Sequence, residues 1–151
     1  MIIHLGTDHG GYSLKEELKN FLSNNFFEIK DHGALSLDPE DDYPFFAHAV
    51  AEAVSHNPED VGVLLCRSGG GVAITANKVK GVRAVVVTNE TDAIHAKAHN
   101  DAQVICIPGD TVTDKTEAFK IVMAFLNAEF EGGRHARRLE QINEFENTAF
   151  K

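Results

Sequence analysis

Five short runs rich in valine and isoleucine, residues 2–6, 27–31, 61–65, 83–87 and 104–107, alternate with longer segments whose apolar residues recur every three or four positions. The short runs are too brief for helices, so each reads as a strand of a sheet covered by helices. Helices between successive strands supply that cover, and a strand reached through a crossover helix lies parallel to its predecessor. The pattern predicts an α/β chain with a five-stranded parallel sheet between helices. Its 151 residues fit one domain, 1–151, able to bury about two-thirds of the surface its unfolded form exposes.

Ser13-Leu14-Lys15-Glu16 has the form of a capping box, after which Leu14, Leu18, Phe21 and Leu22 share a helical face. Pro44 suits a first helical turn and opens a second helix, with Phe45, Phe46, Ala49, Val50, Ala53 and Val54 as its apolar face. A short third helix is expected over 72–78 and a fourth over 91–99, with Ile94 and Ala98 spaced by four. Thr113 is placed to cap a fifth, in which Ala118, Val122, Phe125 and Leu126 form the buried stripe. Gly132-Gly133 stops it, and a last helix, about 134–147, carries a narrow stripe of Leu139, Ile142 and Phe145 suited to packing on a partner subunit.

A formal net charge of -9 argues against general affinity for nucleic acid, since binding phosphate with a whole surface needs clustered positive charge. The one basic cluster free of acids, Arg134-His135-Ala136-Arg137-Arg138, reads either as a solvated helix face or as a local seat for a small anion. No apolar stretch is long enough to cross a bilayer, and the N-terminus lacks the basic and apolar regions of a secretory signal. The expected compartment is the cytoplasm, with no membrane partner. Cys66 and Cys106 lack CxxC spacing and are expected as free thiols, Cys106 an inert one inside an apolar strand.

In open sheets of this kind, functional residues gather beyond the strands' carboxyl ends. Thr7-Asp8-His9-Gly10-Gly11 follows the first strand, Cys66-Arg67-Ser68-Gly69-Gly70-Gly71 follows the third, and His99-Asn100-Asp101 ends the fourth helix. The second of these places a thiol at a strand end, then a glycine loop that leads into a helix. Backbone N–H groups can converge there on an anion, and the same field favours a thiolate. Such a thiolate can serve as a base or a nucleophile; the alternative is a tight turn whose cysteine fills space. Neither GxxxxGK[ST] nor GxGxxG spacing is present, so nucleotide binding is weakly supported. Asp8-His9 and the pair His95 and His99 are metal-like, but no third ligand stands at a diagnostic interval, and no metal is expected.

Together these residues resemble one family, the type B ribose-5-phosphate isomerases with the related galactose-6-phosphate and allose-6-phosphate isomerases. The resemblance runs from Gly6-Thr7-Asp8-His9-Gly10-Gly11-Tyr12-Ser13-Leu14-Lys15 through Asp42-Tyr43-Pro44, Ala76-Asn77-Lys78, Gly81-Val82-Arg83-Ala84 and His99-Asn100-Asp101 to Glu131-Gly132-Gly133-Arg134-His135. It implies a Rossmann-like three-layer α/β/α subunit that acts as a homodimer or homotetramer on a small phosphorylated sugar, without metal or coenzyme. By that resemblance Cys66 is the base that moves a proton between C2 and C1, and Ser68 assists proton movement between the substrate oxygens. Backbone N–H groups of Gly69, Gly70 and Gly71 form the anion hole, His99 opens the sugar ring, and Asp8, His9 and Asn100 belong to the pocket. Arg134 and Arg138 clamp the phosphate, and the sites are shared between subunits.

Three positions depart from the family pattern. Val72 stands where some relatives carry a glutamate base, Arg67 where glycine is usual, and Asp110 where a phosphate-binding arginine is usual. An acid at 110 would repel phosphate, and Arg67 is expected to supply the missing positive charge. The leading expectation is interconversion of ribose 5-phosphate and ribulose 5-phosphate. A six-carbon sugar phosphate as substrate, or a non-catalytic sugar-phosphate binder, are the alternatives.

Overall fold

Strand β1 (Ile3–Thr7) is buried along its whole length: Ile3 and Leu5 enter the core on one face, while His4 is held by Asp60 and His32 and Gly6 lies against Val50 on the other. In the computed structural model, which describes residues 1–149, it lies inside an all-parallel sheet of five strands in the order β2-β1-β3-β5-β4. The others are β2 (Ile29–Asp31), β3 (Val61–Cys66), β4 (Ala84–Val86) and β5 (Val104–Pro108). Among the described residues five helices cover the sheet, α1 (Tyr12–Asn24), α2 (Tyr43–His56), α3 (Gly70–Ala76), α4 (Glu90–Ala98) and α5 (Lys115–Asn127), and a sixth, α6 (Arg134–Ala149), lies outside both cores. Ile3, Leu5, Val63, Leu65, Ile105 and Ile107 pack on one face against α1, α4 and α5. Leu64, Cys66, Val104 and Cys106 face the other way, against α2 and α3. The three-layer arrangement is thus the one the sequence predicts. Among the described residues no helix is long and apolar enough to cross a membrane.

Several helix ends differ from expectation. Ser13 does not cap α1; Asp8 caps a 3-10 turn over His9–Gly11, accepting the Gly10 N–H at 2.9 Å, and α1 continues from that turn. Asp114, not Thr113, caps α5 by accepting the Thr116 N–H. On α4 the buried side is Ala93, Ala96 and Ala98, while Ile94 is exposed, because alanines let α4 lie close to its neighbours. On α2 the buried stripe is Ala47, Val50, Ala51 and Val54, and Phe45 points outward, 77% exposed. Of the α6 stripe, Leu139 is buried but Ile142 and Phe145 are exposed. Near its far end the Glu146 carboxylate accepts the Gly81 N–H at 2.9 Å.

Lys15 is fully buried, which a helical face of leucines does not foretell. Its ammonium donates to both Asp31 oxygens, at 2.8 and 2.7 Å, and to the Ala34 carbonyl at 2.8 Å, tying α1 to the end of β2. Burial acts to raise the Asp31 carboxyl, but hydrogen bonds from Lys15, Lys19 and the Gly33 N–H hold it below its usual value. Asp31→Ala leaves the ammonium buried without its main partner and is expected to cost about 3 kcal/mol in urea unfolding at neutral pH. Because the folded-state carboxyl is depressed, that contribution is complete above the ordinary carboxylate range and fades as pH falls through the folded value. The gap between wild type and variant should therefore close in acid.

Candidate functional site

The chain reverses direction across the sheet between β1 and β3, so the crevice beyond their carboxyl ends is where ligands are expected. Thr7 ends one strand and Cys66 the other. Gly11 makes the close approach possible: a Cβ there would lie 2.6 Å from both Leu65 Cβ and Thr7 Oγ1. Asp8 is buried. His9 is held twice by one atom of Asp41, whose Oδ1 accepts the His9 N–H at 2.9 Å and lies 2.8 Å from its Nδ1. That hydrogen bond raises the imidazole above its ordinary pKa; burial opposes it, Asp8 and Asp41 add to it through charge, and Arg67 subtracts. His9 borders a cavity of about 440 Å³ that also runs along Gly109, Thr113 and Lys115, with Cys66 and Gly69 to Gly71 outside its lining.

Cys66, 4% exposed, is placed by the loop that follows it. The Gly69 N–H points at its Sγ from 3.1 Å. The Gly70 N–H donates to Ser68 Oγ at 3.4 Å. Gly69 reaches this geometry in the left-handed region, at φ 75°. Tyr43, at the start of α2, lays its ring on Gly71, where a Cβ would collide with it. Cys66 and Arg67 are tied to the far side of the crevice, their carbonyls accepting the N–H groups of Gly109 at 2.8 Å and Asp110 at 3.0 Å. The Arg67 side chain runs beside Gly10, its Cγ 2.8 Å from where a Cβ would sit. Gly69→Ala puts a side chain into a left-handed conformation costing about 1–2 kcal/mol and displaces the donor to Cys66. The strain appears as a modest loss in melting temperature, and turnover is expected to fall about tenfold, because a hydrogen bond to a charged group is worth about 1.5–3 kcal/mol and about 1.4 kcal/mol of barrier is a factor of ten.

His99, Asn100, Arg134 and Arg138 are elsewhere. β5 runs parallel to β3, with Val104 beside Gly62 and Pro108 beside Cys66. His99-Asn100 precedes Val104 and is fastened to the strands' entry side, where Arg83, just before β4, donates to the Asn100 carbonyl at 2.9 Å. Four residue steps of β5 therefore separate this group from Cys66, roughly 13 Å at about 3.3 Å per step. The first turn of α6 joins His99: the Glu131 N–H donates to the Ala98 carbonyl, and the His135 ring stacks on His99 at 4.5 Å. One chain thus gathers Asp8, His9, Cys66, Arg67, Ser68 and Gly69 to Gly71 at one edge of the sheet. It gathers His99, Asn100, Arg134 and Arg138 at the other. The loop rule placed the end of the fourth helix at the wrong edge, because a crossover helix runs antiparallel to its strands.

Among the described residues two groups of side chains have metal-like spacing, Asp8, His9 and Asp41 at one edge and His99, Glu131 and His135 at the other, each with donor atoms within 4.8 Å of one another. In the second the His99 and His135 rings are nearly parallel, 10° apart, so their lone pairs lie side by side instead of converging. Burial lowers the His135 pKa, and the neighbouring His99 and Arg134 act the same way. Asp41, Tyr43 and His135 escaped sequence reasoning as site residues. Tyr43 and His135 both lie within segments that carried the resemblance, and Asp41 directly precedes one of them.

The Ribose/Galactose Isomerase family profile matches residues 3–142. The chain belongs to this family. The Ribose/Galactose Isomerase fold recurs in its relatives: ribose-5-phosphate isomerase B of Clostridium thermocellum superposes with a TM-score of 0.94 at 42% identity, covering 99% of each chain. The Mycoplasma genitalium enzyme of the same name, solved with bound ribulose 5-phosphate, gives 0.93 at 42% identity, over 97% of this chain and 96% of that one. Ribose-5-phosphate isomerase B of Escherichia coli K12 is 40% identical over 144 residues, 95% of each chain. The Ribose/Galactose Isomerase assignment thus spans the whole sheet and both clusters.

Proposed function

We propose that the protein is an aldose-ketose isomerase that interconverts D-ribose 5-phosphate and D-ribulose 5-phosphate through an enediolate. The observation that carries this reading is the Cys66 thiol at the exit of β3, with the Gly69 N–H 3.1 Å from its sulfur, in a chain 40% identical to a ribose-5-phosphate isomerase B. A proton on carbon beside a carbonyl is weakly acidic, and most of the barrier is the charge that develops on oxygen as it leaves. Cys66 takes that proton as thiolate, and the loop at the head of α3 meets the charge with preorganised donors, each worth about 3 kcal/mol. Ser68 moves the proton between the oxygens. Val72 is buried beside the thiol and cannot accept a proton, so Cys66 works without a carboxylate base.

The site is completed by a second subunit, because no single chain brings Cys66 and His99 together. His99 and Asn100 of one protomer open and seat the sugar over Cys66 of its partner, with Arg134 and Arg138 on the phosphate and α6 packed on the partner. Phe45, Ile74, Ile142 and Phe145, all exposed in one chain, supply the apolar surface for that contact. Asp8, His9 and Arg67 hold the sugar phosphate from the Cys66 side, Arg67 offsetting the acid at Asp110. No metal or coenzyme takes part, and the protein works in the cytoplasm.

The test is a panel of pentose and hexose phosphates offered to purified protein, with and without exhaustive chelation. Isomerisation of ribose 5-phosphate above all others, unaffected by chelator, is expected. Preference for a six-carbon sugar phosphate would move the substrate assignment, and absence of solvent deuterium exchange into substrate C2 would leave only binding.

A further inference from the structure

We propose that Asp41 is a positioning residue: it fixes the His9 ring so that Nε2 is presented to an oxygen of the bound sugar phosphate. The inference rests on the isomerase reading for its ligand, but its geometry stands apart from it. Asp41 Oδ1 serves both the backbone N–H and Nδ1 of His9, at 2.9 and 2.8 Å. Two contacts to one oxygen set the ring's χ angles as well as its tautomer, since Nδ1 must carry the proton it shares with the carboxylate. Nε2 is then the ring's remaining polar atom, on a residue that borders the open cavity.

A second observation concerns Asp41 itself. Its side chain is 10% exposed, and its Oδ2 is buried with no hydrogen-bond partner, alone in this among the described side chains. A half-satisfied buried carboxylate is costly unless a neighbouring positive charge balances it, and the His9 ring is the one side chain that hydrogen-bonds Asp41 among the described residues. The groups facing His9 are Asp8 on its own turn, Asp41 on the segment before α2, and Arg67 after β3. Both acids favour the cation, and Arg67 opposes it. The raised imidazole pKa follows from this arrangement, so the cationic ring persists to higher pH than a free histidine before it is lost. Asp41 also lies two residues from Tyr43, whose ring rests on Gly71. One short segment thereby aligns His9 on one wall of the crevice and the glycine loop on the other.

Asp41→Asn keeps the shape of the side chain and removes its charge. His9 ring signals, followed by nitrogen-carbon correlated NMR across pH, should show the wild-type ring neutral only as the Nδ1–H tautomer. In Asp41→Asn the titration midpoint should move to lower pH, with the Nε2–H tautomer appearing. kcat/KM for ribose 5-phosphate at neutral pH should fall about tenfold or more through KM, melting temperature should be kept, and Asp41→Glu should recover part of the loss. Unchanged midpoint and tautomer in Asp41→Asn would overturn the proposal, as would a changed ring with kcat/KM within twofold of wild type. If wild type isomerises no sugar, but ribose 5-phosphate still shifts the His9 Nε2 signal and does so less in Asp41→Asn, the positioning role is supported and the isomerase reading ends.

Discussion

Replacing Cys66 by alanine is expected to reduce turnover of ribose 5-phosphate by about 10³-fold or more, in the upper part of the range for removal of a general base. The sulfur is the one group in the crevice that the glycine loop is folded around, and Val72 offers no substitute. Fold and substrate binding should survive, because the thiol adds little volume and the anion donors remain. The control is Cys106, one strand away on the same face of the sheet and wholly buried. Burial pushes its thiol far up, with Cys66 nearby adding to the effect, so it stays protonated. Cys106→Ala should cost about 1 kcal/mol of stability and leave kcat alone. Steady-state kinetics beside thermal melts of the two variants decide the matter, and full activity in Cys66→Ala would end the base assignment.

The second large effect is a gain. Cys66→Ala and His99→Asn chains, each nearly inactive, should regain about a quarter of wild-type activity when unfolded together and refolded as randomly mixed dimers. Half of such dimers are mixed, and in each mixed dimer one site collects both lesions while the other joins two intact residues. The count follows from the separation of the clusters, since four residue steps of β5 lie between Cys66 and the His99 side of the sheet. Activity that stays at the parental level, with mixed dimers confirmed by mass, would place each site within one chain.

Much of this was legible in the sequence because short runs between segments of helical period mark strands, and burial on both faces keeps β3 and β5 apolar, though not β2, whose Lys30 is exposed. That is why all five strands lie within or overlap the predicted runs, and why the turn after β3 could be read as chemistry. Helix caps were less legible. Ser13 has the letters of a capping box, yet Asp8 lies earlier in the chain and starts the turn first, so the serine has no free N–H to serve. Lys15 shares the face of Leu18 and Leu22, but a lysine there reads as solvent-facing, and only the fold reveals Asp31 and Ala34 as the partners of its ammonium. Asp41 was invisible for the same reason: its partner is 32 residues away, and nothing local distinguishes it from Asp42. The opposite placement of Cys66 and His99 follows from strand direction alone, but only once each helix is given its sense.

The way α6 is attached carries a consequence for the protein at low abundance. The helix is fastened near its start through Glu131 and His135 and near its end through Glu146, and between these points Leu139 is its only buried apolar side chain. Isolated helices of this length are marginal in water and draw most of their stability from packing. Arg134 and Arg138 therefore stand on an element with little packing of its own within one chain. If a second subunit completes the site as proposed, dilution is expected to loosen α6 before it disturbs the sheet, so that protein concentration sets how much of the folded protein is competent.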